Sequence, residues 1–352
     1  MMRLFYILFT FSLYYLSVKS CPAWLDDYAS FHEHQRSSNP EAAKYLVFSV
    51  EKTGFQGGLG DRIRAMLLVT RLAIASQRVV LFTWAHPFEL EHFLIPSRII
   101  DWRIKGTGLD LISPHPHYSW MVGQSWRPLD LIRQRPRDFV LQNGISSLKD
   151  RFIVISTNEH ATTRCKGCPD IGNDSLGPAA SCLFQYLFRF NSKIEGLASL
   201  ALSSLGLGLG DHFIGLHLRL GGLICEPLLL EQENSNKVSR GGTLTRLLAG
   251  ISCARKESGG KLPVLVVADN ARVRAFIRGG HISGFLSSNL TPVHLDLAGP
   301  SVSLADHQST FVEVLMLSRS QCLLMSPNSG FSLVALWQQG GQCWRMIEQP
   351  CD

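Results

Sequence analysis

Apolar and polar positions alternate along this chain in blocks that read as strands and helices of an α/β protein. A β-rich, mainly apolar stretch at 45–50 is followed by a glycine-rich turn, a helical pattern over 61–76 and a second apolar run at 79–84. Such nearly continuous apolar runs suit strands buried on both faces, as in a parallel sheet. Residues 85–150 are rich in Pro, Trp and His and show no clear period. A further strand is expected at 151–156 and one long helix at 181–204. Three alternating glycines in 205–211 cannot continue a regular element and mark a boundary. Beyond it, strands are expected at 213–219, 264–268, 292–295, 322–326 and 344–348. Helices are expected between them at 243–256, 270–278, 309–319 and 329–339. Strict β–α alternation implies parallel sheets with right-handed crossovers. Two domains are therefore expected, residues 21–205 and 206–352.

The first twenty residues stand apart. Arg3 precedes an apolar run from Leu4 to Val18, and Val18-Lys19-Ser20 offers small residues for signal cleavage. Fifteen residues are short for a spanning helix of ~20. Residues 1–20 are read as a secretory signal peptide or a short signal anchor, placing the chain in the lumen of the secretory pathway. All nine cysteines follow that segment, and an oxidising lumen favours disulfides. An odd count leaves at least one thiol unpaired or linked to another chain. Cys165-Lys166-Gly167-Cys168 has no second pair at zinc-finger spacing, so a disulfide-stapled loop, with Cys182 as a further partner, is the favoured reading. Asn173 and Asn289 begin glycosylation sequons.

The composition, 45% hydrophobic and 18% charged, is that of a globular protein. The net charge of +6 becomes +4 once Arg3 and Lys19 are removed with the leader. That suits a small anionic ligand, but the scattered cations argue against nucleic acid.

Four segments carry candidate chemistry. Gly57-Gly58-Leu59-Gly60-Asp61-Arg62 opens a helix yet fits neither a Walker loop nor a dinucleotide fingerprint. Asp61 suits a cap, whereas Arg62 and Arg64 sit in a first turn where cations are disfavoured unless an anion docks beside them. His217-Leu218-Arg219 ends a strand. Alternation puts His217 and Arg219 on the face opposite Ile214, Leu216 and Leu218, at the end where open α/β sheets bind ligands. An arginine fork matches phosphate oxygens. Asp269 and Asn270 lie between a strand and a helix, placed either to cap or to read a base or ribose. Ser326-Pro327-Asn328-Ser329-Gly330-Phe331-Ser332 offers hydroxyls and free amides at a helix N-terminus.

In this order and spacing the four segments resemble the fucosyltransferase superfamily, which includes O-, α-1,2- and α-1,6-fucosyltransferases. The resemblance runs from about Leu46 to Leu336 and is carried by the motifs rather than the sequence between them. It implies a GT-B fold of two Rossmann-like parallel-sheet domains facing a cleft, the second of them holding the nucleotide sugar. It further implies GDP-fucose as donor, no cofactor, no metal, and inversion of the transferred sugar onto a glycan or glycoprotein acceptor. By carry-over, Arg219 holds the diphosphate and Asp269, with Asn270 beside it, reads the guanosine. Ser329, Gly330, Phe331 and Ser332 line the phosphates. Gly58, Gly60, Asp61 and Arg62 face the sugar and acceptor, with Asp61 the favoured base ahead of Glu51, Glu89 and Glu159. His217 completes the donor site. The chain departs from the family at Gly221 and Gly222, where many members carry an acidic residue, but it agrees in lacking an Asp-x-Asp metal motif.

Overall fold

The computed structural model describes residues 21–50, 57–84, 86–104, 126–130, 145–157, 159, 161–172, 176–208, 210–220, 243–291, 293–295, 302–327, 329–347 and 351, with the backbone alone at 126–130 and 243–244. The leader at 1–20, Glu51, the sequon at Asn173, Gly221, Gly222, Asn328 and the ninth cysteine, Cys225, lie outside the described residues.

The first half begins with helix α1 (Ala23–Ser38), strand β1 (Tyr45–Val50), helix α2 (Leu59–Ala75) and strand β2 (Val79–Trp84). Short strand β3 (Leu94–Pro96), strands β4 (Trp126–Asp130) and β5 (Phe152–Ser156), helix α3 (Pro178–Leu187), strand β6 (Phe188–Phe190) and helix α4 (Ser192–Ser204) complete it. Strands β2-β1-β5-β4 form a wholly parallel sheet. The second half runs β7 (Ile214–Leu218), α5 (Thr243–Ser258), β8 (Val264–Ala268), α6 (Ala271–Arg278), β9 (Phe285–Leu286), α7 (Leu304–Ser318), β10 (Cys322–Met325), α8 (Gly330–Gln339) and β11 (Trp344–Met346). Its sheet, β11-β10-β7-β8-β9, is also parallel throughout. Two parallel α/β sheets are therefore the architecture, as the alternation implied.

Three expectations are corrected. The single helix at 181–204 is two helices: Phe188-Arg189-Phe190 leaves the helical path to pair antiparallel with β3. Asn191 then caps α4, its side chain accepting from the Ile194 amide. The strand expected at 292–295 is a loop where described, because the Thr310 hydroxyl binds both the N–H and the C=O of Val293 at 3.0 Å. That leaves this residue no ladder bonds, and the edge strand of the sheet is β9 instead. Cys182 joins Cys21, not the 165–168 loop, where Cys165 and Cys168 bond to each other. Cys253–Cys351 and Cys322–Cys343 complete the four disulfides.

Each half buries the sides of its own sheet, but the largest core belongs to both. Ile214, Leu216 and Leu218 pack with Val273 and Ile277 on the far side of the second sheet. On its near side, α7 and α8 join α2, α3 and the first sheet in one apolar cluster that includes Leu68, Phe184, Phe311 and Trp337. Phe93 stacks on Phe311 with centroids 4.2 Å apart. Gln185 on α3 donates to the Trp337 carbonyl on α8 at 3.1 Å.

Candidate functional site

The C-terminal end of β7 is fixed from both sides. Ser326 donates its amide to the His217 carbonyl at 3.1 Å, and its hydroxyl accepts the Arg219 amide at 2.8 Å. On the other flank, one oxygen of Asp269 accepts the Leu220 amide at 2.7 Å, while the second meets the Arg219 guanidinium at 3.0 Å. The carboxylate thus fixes both the backbone and the side chain of the strand end. Arg219 stays 36% exposed with its fork at the cavity, whereas Asp269 is only 8% exposed.

His217 points from the same face of β7. Its Nδ1 lies 2.6 Å from the Ser332 hydroxyl, and its ring stacks on Phe331 at 4.9 Å. Burial pushes its pKa down to about 4, with Asp269 opposing the shift and Arg219 and Arg274 adding to it. A neutral imidazole has one donor and one acceptor nitrogen. When Ser332 donates to Nδ1, Nε2 carries the proton.

Two helix N-termini meet opposite this strand end. Gly57 has φ +78°, a left-handed conformation that favours glycine, and turns the chain into α2. Gly58 donates its amide to Asp61 at 3.0 Å, and the other oxygen of Asp61 binds the Arg64 guanidinium. Gly60 and Gly330 are in backbone contact: a Cβ built on Gly60 would stand 2.4 Å from the Gly330 Cα. Ser329 precedes α8 without using its side chain as a cap, and it lines the cavity. The first N–H groups of both helices lack intrahelical acceptors, and the helix dipoles add positive potential there.

The resulting cavity of about 200 Å³ lies between the two halves. Its far wall is more apolar, formed by Val267, Ala268, Val293 and Leu295, with Thr310 and Glu313 beyond. Glu313 is fully buried and held by Arg274, at 3.0 Å for Oε2, and by the Ser288 hydroxyl at 2.8 Å. Arg274 also donates to the carbonyls of Ala268 at 3.2 Å and Leu290 at 2.6 Å. This ion pair braces the end of β8 and the loop that follows β9.

Most of the expected site residues come together: Gly58, Gly60, Asp61, His217, Arg219, Asp269, Ser329, Gly330 and Phe331 all line the cavity, with Ser332 directly behind His217. Two do not. Arg62 turns into the core, donating to the carbonyls of Gly57 at 3.0 Å and His86 at 2.6 Å beneath the Trp84 ring. Asn270 caps α6, accepting the amides of Arg272 and Val273. Glu89 and Glu159 do not line the cavity. Arg64, the other first-turn cation that an anion would suit, does line it, as do His294, Thr310 and Glu313, which no sequence motif marks. Among the described residues, the one grouping of metal-ligand atoms is Glu257 with Cys322 and Cys343, whose sulfurs are already joined in a disulfide.

The sequence matches no family model and no curated protein. The fold does have solved relatives. A mutant of Arabidopsis thaliana FUT1 in complex with GDP superposes with a TM-score of 0.58 at 16% identity, covering 94% of this chain and 79% of that one. The NodZ alpha-1,6-fucosyltransferase soaked with GDP-fucose gives 0.51 at 15% identity, over 84% and 92% of the two chains. POFUT1 in complex with GDP-fucose gives 0.50 at 13% identity, over 89% and 99%. The chain has the two-sheet fold of these proteins, which is the GT-B architecture the motifs implied.

Proposed function

We propose that this chain is a metal-independent glycosyltransferase that moves fucose from GDP-fucose to a hydroxyl of a glycan or glycoprotein, with inversion. One observation carries the reading: Arg219 and the N-termini of α2 and α8 face a single cavity between two parallel sheets. The bound GDP and GDP-fucose of the solved proteins that share the fold support the choice of ligand. In this reading, residues 206–352 hold the nucleotide and residues 21–205 present the acceptor.

The chemistry is a single displacement. The acceptor oxygen forms a bond to the anomeric carbon as the bond from that carbon to the diphosphate oxygen breaks. Charge grows on the departing GDP, and donors already aimed at that place lower the barrier without reorganising. Arg219 supplies the fork, oriented by Asp269, and His217 Nε2 adds a neutral donor. The amides at the start of α8 and the Ser329 hydroxyl supply the rest. Asp61 is the candidate to take the acceptor proton. No Asp-x-Asp sequence is present to hold a divalent ion, and the four disulfides suit an oxidising secretory compartment.

A second reading is a nucleotide-binding protein that does not transfer sugar. It is favoured by Asp61, whose two oxygens already accept the Gly58 amide and the Arg64 guanidinium. Incubating the luminal chain with a panel of nucleotide sugars separates the two. Release of GDP from GDP-fucose supports transfer, whereas a thermal shift with GDP and no turnover supports binding alone. Turnover of another nucleotide sugar in preference to GDP-fucose overturns the donor assignment.

A further inference from the structure

We infer that the Cys165–Cys168 pair is a thiol–disulfide exchange site for a partner carrying a dithiol, independent of the nucleotide reading above. The pair lies in the loop between β5 and α3. Gly167 at the tip of that loop packs on the carboxyl-terminal end of α2, its Cβ position 3.8 Å from the Ala75 Cβ. The cavity is at the other end of the same helix, and Arg64 and Ala75 are about 16 Å apart along its axis.

Access sets this bond apart from the other three disulfides of the described residues. Each of those has one buried cysteine: Cys182, Cys253 or Cys322. Cys165 and Cys168 are both part-exposed, with Lys166 and Gly167 exposed between them. An attacking thiolate must reach a sulfur, so access governs the rate of exchange.

The bond also holds little else together. The other three join residues 161, 98 and 21 positions apart, whereas this one spans a separation of 3 and restrains the unfolded chain least. The loop has other fastenings. The buried Arg71 donates to the carbonyls of Pro169 at 2.9 Å, Thr163 at 3.1 Å and Ala161. The Cys168 amide donates to the Cys165 carbonyl at 3.2 Å. Opening the S–S bond therefore leaves the loop anchored, as a reversible step requires. Arg164 and Lys166 flank Cys165 and favour its thiolate, which makes that sulfur the better leaving group.

In the exchange, a partner thiolate attacks one sulfur, the S–S bond breaks and the other sulfur departs as a thiolate. The partner's second thiolate then displaces the first sulfur. The pair gains two electrons and two protons, and the partner's dithiol is oxidised to a disulfide.

The test exposes the full luminal chain to graded dithiothreitol, traps free thiols by alkylation and places them by peptide mapping. Cys165 and Cys168 are expected to be labelled at least about 10-fold faster than Cys182, Cys253 and Cys322, with native circular dichroism throughout. Oxidised glutathione is expected to restore the bond. Changing Cys165→Ser and Cys168→Ser together is expected to abolish the fast phase and leave the fold intact. Labelling no faster than at the buried cysteines, a fast phase that survives in the double variant, failure to reoxidise, or loss of the native signal as the pair opens overturns the site. Arg164→Glu with Lys166→Glu is expected to slow the fast phase several-fold, and an unchanged rate overturns the role given to the two cations.

Discussion

Gly60, the second residue of α2, and Gly330, the first of α8, touch backbone to backbone across the boundary between the two halves. No side chain fits between them, and their contact sets two helix N-termini side by side at the cavity. Gly60→Ala drives a methyl group into the Gly330 carbonyl carbon and Cα. The expected cost is about 1–3 kcal/mol of stability, with weaker GDP binding as the helices part. Gly196→Ala on α4 is the contrast: nothing lies within 4 Å of its Cβ position, and the helix gains about 0.5–1 kcal/mol. Melting curves of the two variants, with and without GDP, check both signs.

Arg219→Ala is expected to lower turnover of GDP-fucose by ~10²-fold or more while the protein stays folded. The side chain is part-exposed, and Asp269 keeps the Leu220 amide when the guanidinium is gone. Arg219→Lys keeps the charge but not the two-pronged geometry, and it is expected to recover little of the rate. Steady-state kinetics beside circular dichroism decide the matter. Full activity in a folded Arg219→Ala protein counts against the mechanism.

The Arg274–Glu313 pair lies wholly inside the protein, so removing one partner strands the other. Glu313→Ala is expected to cost about 3–5 kcal/mol, read by denaturant unfolding. Replacing both residues by apolar side chains of similar volume is expected to cost less than the single change, because no uncompensated charge remains.

Acid is expected to weaken the fold well before the carboxylates titrate. His32 and His217 are both buried, and burial lowers each pKa to about 4, against about 6.5 in the unfolded chain. His32 binds the Val80 carbonyl at 3.0 Å, and His217 binds Ser332. Between those two values the unfolded state binds a proton that the native state does not. Stability is therefore complete above about pH 6.5 and falls as pH drops toward 4, by up to about 3 kcal/mol for each histidine. Melting temperatures across that range check the trend, and His217→Gln is expected to reduce it by about half, the His32 contribution remaining.

Much of this architecture is readable from local pattern alone. Strands such as 45–50, 79–84 and 264–268 are apolar but for Ser49 and Thr83, as suits doubly covered parallel strands. His217 and Arg219 break that rule at the ligand-binding end of a strand, and this made them visible. The choice between Arg62 and Arg64 was not legible in the same way. Two positions along a helix turn the side chain by about 200°, so one arginine faces Trp84 and the other the cavity. Which is which depends on where α8 lies. Asn270 suits a cap and a ligand contact equally well by type, and only its bonds to two amides show which is made. Glu313 is hidden for another reason: it lies mid-helix with an ion-pair partner 39 residues away. Helix α1 is hard to read from the sequence because Tyr28 and His32 anchor it partly through hydrogen bonds to the carbonyls of Arg78 and Val80, with no strong apolar stripe.

The packing of α8 against α2 and α3 has a consequence for biosynthesis. The first half precedes it by well over a hundred residues, yet Phe184 packs on the Trp337 ring and Gln185 donates to the carbonyls of Trp337 and Gln338. A nascent chain that has released everything before α8 still exposes that apolar surface and must wait for its own tail to cover it. Truncations near the carboxyl terminus should accordingly cripple folding of the whole polypeptide, including a sheet whose sequence they leave untouched.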